Sequence, residues 1–165
     1  MRVLRHLLAI AILPFTVTVL IPRWILRGRG VFGGLAEGPL LLVQLLGVVL
    51  LAVGLALFVS SLRRFANEGD GTLAPWDPPR RLVVRGPYRY VRNPMISGVV
   101  FVLLAEAALL LSRALLGWAI LFAAINAVYI PLVEEPMLRG RFGSEYDEYR
   151  RHVPRLLPRI SPWKR

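Results

Sequence analysis

Residues Arg85–Gly98 read RGPYRYVRNPMISG, and within them a polar, arginine-rich segment turns into a strongly apolar one. Asn93 is a residue type that suits a helix N-cap, Pro94 suits the first helical position, and an apolar run follows, so a helix is expected to start here. A helix start leaves four backbone N–H groups without intrahelical partners and carries positive partial charge. Arg85, Arg89 and Arg92 add to that field, and the place favours anions. A basic turn that only sets orientation would look the same, so the rest of the chain has to decide between the two readings.

Moving outward, the composition points to a membrane. Of the 165 residues, 56% are hydrophobic, against roughly 45–50% in soluble domains. The net charge of +11 comes from 21 Lys and Arg against 10 Asp and Glu. Most of these cations flank apolar runs instead of forming one soluble face, so anionic lipid head groups, and no nucleic acid, are the expected partner. There is no cysteine, which excludes disulfides, thiolate metal sites and a cysteine nucleophile. His6 and His152 lie far apart without ligand-spaced neighbours, so no metal is expected.

The apolar runs give the fold class: an all-α integral membrane protein, one membrane domain, with about four transmembrane helices. The spans are expected at about 5–22, 40–62, 94–111 and 114–133. The first follows Arg2 and Arg5 without a small-residue cleavage site and reads as a retained helix that Pro14 kinks. The second is the cleanest, with Gly47 and Gly54 seven apart on one face, where a neighbouring helix can approach. The third and fourth are joined only by Ser112 and Arg113, which forces an antiparallel hairpin and brings Asn126 near the depth of Gly98 and Val99.

The connection 63–93 is proline- and glycine-rich and reads as a long loop. A structureless connection of that length is usually functional. From 134 to 165 the chain is charged but patterned. Leu138, Phe142, Tyr146, Tyr149 and Val153 recur at helical spacing and predict an amphipathic helix, followed by an irregular basic tail on anionic lipid. With four spans, the N-terminus, the long loop and the C-terminal segment share one side, which holds 17 cations against 4 on the other. The positive-inside rule makes that side, and both termini, cytoplasmic.

The hairpin brings Glu134 and Glu135 close to Asn93 and Pro94. Two carboxylates there suit sugar hydroxyls or a cationic centre, or pair with Arg89, Arg92 or Arg139. Pro131 and Pro136 are expected to make the backbone around them irregular. Within the spans, Glu106 and Asn126 are costly polar residues and functional by default.

Two blocks, GTLAPWDPPRRLVVRGPYRYVRNPMISG from Gly71 and EEPMLRGRFGSEYDEYRRHVPRLLP from Glu134, are together similar to the membrane methyltransferase superfamily that includes isoprenylcysteine carboxyl methyltransferases and phospholipid N-methyltransferases. The resemblance implies S-adenosylmethionine as methyl donor at the cytosolic membrane edge. A lipid-like acceptor, a prenylcysteine carboxylate or a phospholipid amine, would enter from the bilayer. By position, Tyr90, Arg92, Asn93, Pro94 and Gly98 would shape the cofactor pocket, with Glu134 and Glu135 on the cofactor's polar groups. Arg92, Glu134 and Glu135 are the candidates for catalysis, and Arg89 and Asn126 for acceptor binding. The chain departs from the pattern where Asn93 replaces a common His, Ile96 a common Tyr, and Ile130 and Pro131 stand where isoprenylcysteine enzymes tend to carry arginine. Sterol reductases share a similar C-terminal arrangement, so an NADPH-dependent membrane reductase is an alternative. A small proton-coupled exporter built on Glu106 is a second.

Overall fold

A computed structural model describes residues 11–29, 33–68 and 81–164. Residues 5–10 of the span expected at 5–22 and residues 69–80 of the loop expected at 63–93 lie outside the described residues. Among those described, every regular element is helical. A π-helical stretch, Ala11–Leu20, leads into α1 (Ile21–Leu26), and α2 follows at Pro39–Glu68. Then come a 3-10 turn at Gly86–Arg89, α3 (Pro94–Leu109) and α4 (Arg113–Tyr129). A second π turn, Ile130–Glu134, leads to α5 (Glu135–Phe142), and α6 is Ser144–His152.

Among the described residues, two helices are long and apolar enough to cross a membrane: Pro39–Arg64 within α2, and the continuous run Arg113–Phe142 through α4, the π turn and α5. The apolar part of that second run ends at Val133, about 20 residues in, which is what a hydrocarbon core of about 30 Å requires. Leu13–Leu26 and Pro94–Leu109 are apolar but shorter. Helix α2 runs past the expected boundary at 62 to Glu68, because Arg63, Arg64, Ala66 and Glu68 are good helix formers and the first glycine comes only at position 69.

Helices α2 and α3 pack closely and antiparallel. A Cβ on Gly47 would lie 3.0 Å from Leu109, and one on Gly54 would lie 2.9 Å from the carbonyl oxygen of Gly98. A Cβ on Gly98 would in turn lie 2.8 Å from the carbonyl oxygen of Gly54. Gln44 pins the far end, its amide nitrogen donating to the carbonyls of Gly34 and Leu109, both at 2.9 Å. The hairpin between α3 and α4 is tight, with Leu111 at φ 48°, a left-handed conformation that costs a leucine about 1–2 kcal/mol. Ser112 caps α4 by accepting from Leu115 N–H at 3.4 Å.

Val99, Leu103 and Ala119 form the core between α3 and α4, with Val17, Phe58 and Phe122 against it. Trp118 Nε1 donates to Val17 O at 3.1 Å and ties the first π stretch to α4. Both π stretches contain a proline, Pro14 in one and Pro131 in the other. A proline ring crowds the carbonyl four residues back and removes one N–H, which opens the turn. The expected irregular backbone around Pro131 and Pro136 is therefore a widened helical turn, after which the chain continues as helix to Phe142.

The single amphipathic helix expected after 134 is two. Gly143, at φ 54° and ψ −130°, separates α5 from α6 in a conformation that favours glycine. The periodic face nonetheless closes: Tyr146, Tyr149 and Val153 are buried together, with Leu138, Phe142, Leu82, Val84 and Trp163 around them. The tail, expected to lie on lipid, instead folds back along the 89–97 segment. Arg92 N–H donates to Pro154 O at 2.8 Å, Arg159 N–H to Tyr90 O at 3.0 Å, and Trp163 N–H to Arg89 O at 2.9 Å.

Candidate functional site

A cavity of about 410 Å³ lies where the first π stretch, α3, α4 and the C-terminal helices converge, within the size range of small-ligand sites. Its walls differ in character. Leu13, Pro14, Val17, Val99 and Phe122 make an apolar side, and Arg92, Asn93, Glu134, Tyr88, Tyr146 and Tyr149 line the polar end. Pro94 and Glu134, distant in sequence, face the same space, and Asn126 lines it as well.

The polar end is built by helix termini. Pro94 opens α3, and Asn93 occupies the cap position at φ −118° without a capping hydrogen bond from its side chain. The Asn93 main chain is used instead. Its carbonyl accepts from Ser97 N–H at 3.0 Å, and its N–H donates to Arg155 O at 3.2 Å. Tyr149 Oη donates to Tyr88 O at 2.6 Å, which seats the 3-10 turn on α6.

Adjacent in sequence, Glu134 and Glu135 have different surroundings. Glu134 lines the cavity and makes no hydrogen bond or ion pair among the described residues. Burial, reinforced by the charge of Glu135 and opposed by Arg92, pushes its carboxyl up to about 7. Glu135 is 4% exposed and anchors three arginines. Its Oε1 lies 3.0 Å from Arg92 Nη1 and 2.6 Å from Arg155 Nε, and Arg150 Nη1 is 3.8 Å from Oε2. Burial alone would raise the Glu135 carboxyl, but the Arg155 hydrogen bond and the charges of Arg92, Arg155 and Arg150 hold it below the usual carboxylate range.

Arg92 itself is nearly buried and lines the cavity. Its Nη1 also lies 3.4 Å from Tyr146 Oη, while its buried Nε–H has no acceptor among the described residues. Burial raises the Tyr88, Tyr146 and Tyr149 phenols, so all three stay protonated at neutral pH. The cavity is therefore lined by the guanidiniums of Arg92, Arg81 and Arg141, by one carboxylate that titrates near neutrality, and by three neutral hydroxyl-bearing rings at its polar end.

Of the residues expected at the site, Arg92, Asn93, Pro94, Glu134 and Asn126 line the cavity. Glu135 lies behind Arg92 and does not line it. Gly98 is taken up by the crossing with α2, where its missing side chain lets the backbones touch. The main chain of Tyr90 pairs with Arg159, and Arg89 Nε donates to Trp163 O at 2.6 Å, so both fasten the tail. Asn126 Nδ2 donates back to Phe122 O at 2.9 Å, a bond within its own helix. Sequence reasoning missed Tyr88, Tyr146 and Tyr149 as cavity residues. The periodic face of 138–153 flagged two of them, but as packing residues only. Glu106 lies away from this cavity with Oε2 buried and unpartnered among the described residues. No group of metal ligands forms among the described residues.

Over 81 residues, or 47% of the chain, the protein is 35% identical to methanethiol S-methyltransferase 2 of Bradyrhizobium diazoefficiens. The aligned part is 29% of that relative, so the chain spans under a third of its length. No solved structure matches. Residues 42–145 match the phospholipid methyltransferase family, a stretch that takes in the glycine crossing, the start of α3 and both glutamates. On that match the chain belongs to the phospholipid methyltransferase family.

Proposed function

We propose that the protein transfers a methyl group from S-adenosylmethionine to a lipid-like acceptor at the cytosolic edge of a membrane, with four spans and cytoplasmic termini. The observation that carries this reading is the two-ended cavity, apolar toward α3 and α4 and polar at Arg92, Asn93 and Glu134.

The donor's chemistry fits the residues present. A carboxylate is the ligand group that would satisfy the buried Arg92 Nε–H, and it would sit beside the start of α3, where a helix favours anions. An ionised Glu134 suits ribose hydroxyls or an ammonium group. The tyrosine rings suit a sulfonium through their negative faces. When bound, the donor supplies an electrophilic methyl group. The protein's own contribution is to orient the acceptor and exclude water, so positioning carries most of the acceleration.

The acceptor is a phospholipid amine or a prenylcysteine carboxylate, and the relative's name adds a small thiol. An ammonium or thiol acceptor must lose a proton before it attacks. Glu134, titrating near 7, is the group that can take it. A carboxylate acceptor needs no base, and Arg92 or Asn126 would hold it. Arg89, turned to the tail, is less suited to that part.

Calorimetric titration of the protein in lipid nanodiscs with S-adenosylmethionine and its demethylated product tests the reading. Saturable binding that Arg92→Ala weakens strongly without removing it is expected. Absence of binding to the unaltered protein, or binding of NADPH in its place, refutes it. Incubation with isotopically labelled donor and phospholipids, prenylcysteine or alkyl thiols then identifies the acceptor.

A further inference from the structure

The chain's last residues reach the cavity indirectly, through a third segment. Pro154 and Arg155 lay their carbonyls against the N–H groups of Arg92 and Asn93, and the Ser97 hydroxyl donates to Leu156 O at 2.7 Å. The tail is thereby fixed along the start of α3. From that position the Arg155 side chain turns to α5, where its Nε and Nη2 donate to the two oxygens of Glu135 at 2.6 and 3.2 Å. The oxygen that accepts the shorter bond is also the one 3.0 Å from Arg92 Nη1. Of these three residues only Arg92 lines the cavity.

We propose that Arg155 is a positioning residue for the methyl-donor end of the cavity, clasping both oxygens of Glu135 so that this carboxylate holds Arg92 in one orientation. The role in donor binding rests on the proposed function, whereas the clasp itself does not. A two-point guanidinium–carboxylate contact fixes the plane of the carboxylate as well as its distance. Arg150 is the competing partner, 3.8 Å from the other oxygen with a side chain 44% exposed. Without Arg155, Glu135 is free to turn toward Arg150 and solvent. Among the described side-chain contacts, Arg92 then keeps its 3.4 Å contact with Tyr146 and the longer-range attraction of Glu134. A site whose supporting contact is lost becomes loose before it becomes unfolded.

The test has two arms. In the first, phenylglyoxal labels arginines of the donor-free protein in nanodiscs, and mass spectrometry follows Arg92 against the exposed Arg113 as reference. Arg155→Ala is expected to speed labelling of Arg92 several-fold while leaving Arg113 unchanged, and Arg155→Lys to restore part of the protection. In the second arm, calorimetry with S-adenosylmethionine is expected to show Kd raised about ten-fold in Arg155→Ala, about 1.4 kcal/mol. Arg155→Ala should have no further effect when added to Arg92→Ala. Unchanged labelling of Arg92 overturns the proposal. So does faster labelling of Arg92 and Arg113 alike, which marks general loosening, or an equal added loss in the Arg92→Ala background. If the unaltered protein binds no donor while Arg92 labelling still responds to Arg155, the proposed activity falls and the clasp stands.

Discussion

Neutralising each of the two adjacent glutamates in turn should give distinguishable phenotypes, a loss of stability in one case and a loss of donor affinity at unchanged stability in the other. Glu135→Gln keeps the shape of the side chain and removes the charge that balances Arg92. With Glu135 4% and Arg92 8% exposed and 3.0 Å apart, this is a buried pair, and losing one partner of such a pair costs about 3–5 kcal/mol. Glutamine still offers an acceptor oxygen, which places the loss near the lower end. The contacts to Arg155 and Arg150, whose side chains are 36% and 44% exposed, are screened by solvent and add under about 1 kcal/mol each. A loss of about 3 kcal/mol lowers Tm by roughly 6–12 °C for a chain of this size. Glu134→Gln breaks no described contact, so its Tm should stay within about 2 °C at pH 6.5, where much of Glu134 is already neutral. Its donor affinity should nonetheless fall about ten-fold or more, the share of a hydrogen bond to a charged group. Thermal unfolding followed by tryptophan fluorescence, with calorimetry beside it, reads both. Equal drops in Tm for the two variants, or full donor affinity in Glu134→Gln, would refute the division of labour.

The titration of Glu134 gives a signed pH dependence. Its folded-state pKa is raised to about 7, so its contribution to stability is complete below the ordinary value of 4.5 and is lost as pH rises through about 7. Tm should therefore fall between about pH 4.5 and 7 in the unaltered protein and level off above, and this fall should be absent or smaller in Glu134→Gln. Donor affinity should move the other way, strengthening around pH 7 as the folded carboxylate ionises, with a flat profile in Glu134→Gln. Gly98→Ala would place a Cβ 2.8 Å from the Gly54 carbonyl oxygen and should cost about 1–3 kcal/mol, seen as a lower Tm with unchanged Kd for the donor. A change in Kd without a change in Tm would return Gly98 to the ligand site. Tyr149→Phe removes the 2.6 Å bond to Tyr88 O and should destabilise by about 1 kcal/mol, measured in the same unfolding assay.

The fold was legible wherever a rule concerned one helix face or one junction. The spacing of Gly47 and Gly54 marked the close crossing, the short link at Ser112 and Arg113 forced the hairpin, and Leu138 through Val153 marked the face that closes the C-terminal cluster. What stayed hidden depends on contacts between distant segments. The tail carries Pro154, Pro158 and Pro162 and no periodicity, so nothing local announces that its backbone will pair with residues 89 to 93. The glycine at 98 sits in the right block for a ligand contact, and only its neighbour on α2 shows why a side chain is excluded there.

The glutamate pair shows where a motif misleads and geometry corrects it. Read as a unit, EE suggests two carboxylates acting together on one ligand. Consecutive residues on a helix, however, point about 100° apart, since 3.6 residues complete a turn. Once the helix continues through this point, as Leu138 and Phe142 already hinted, the two side chains must face different neighbours. The π turn over Ile130–Glu134 ends at Glu134, the glutamate that lines the cavity, and α5 begins with Glu135, the one among the arginines. The widened turn that Pro131 brings thus sits where the backbone must aim one carboxylate at the cavity and the next at the charge cluster behind Arg92. Straightening it would rotate both, so proline at 131 is tied to the site through the helix register, without its side chain supplying any polar contact of its own.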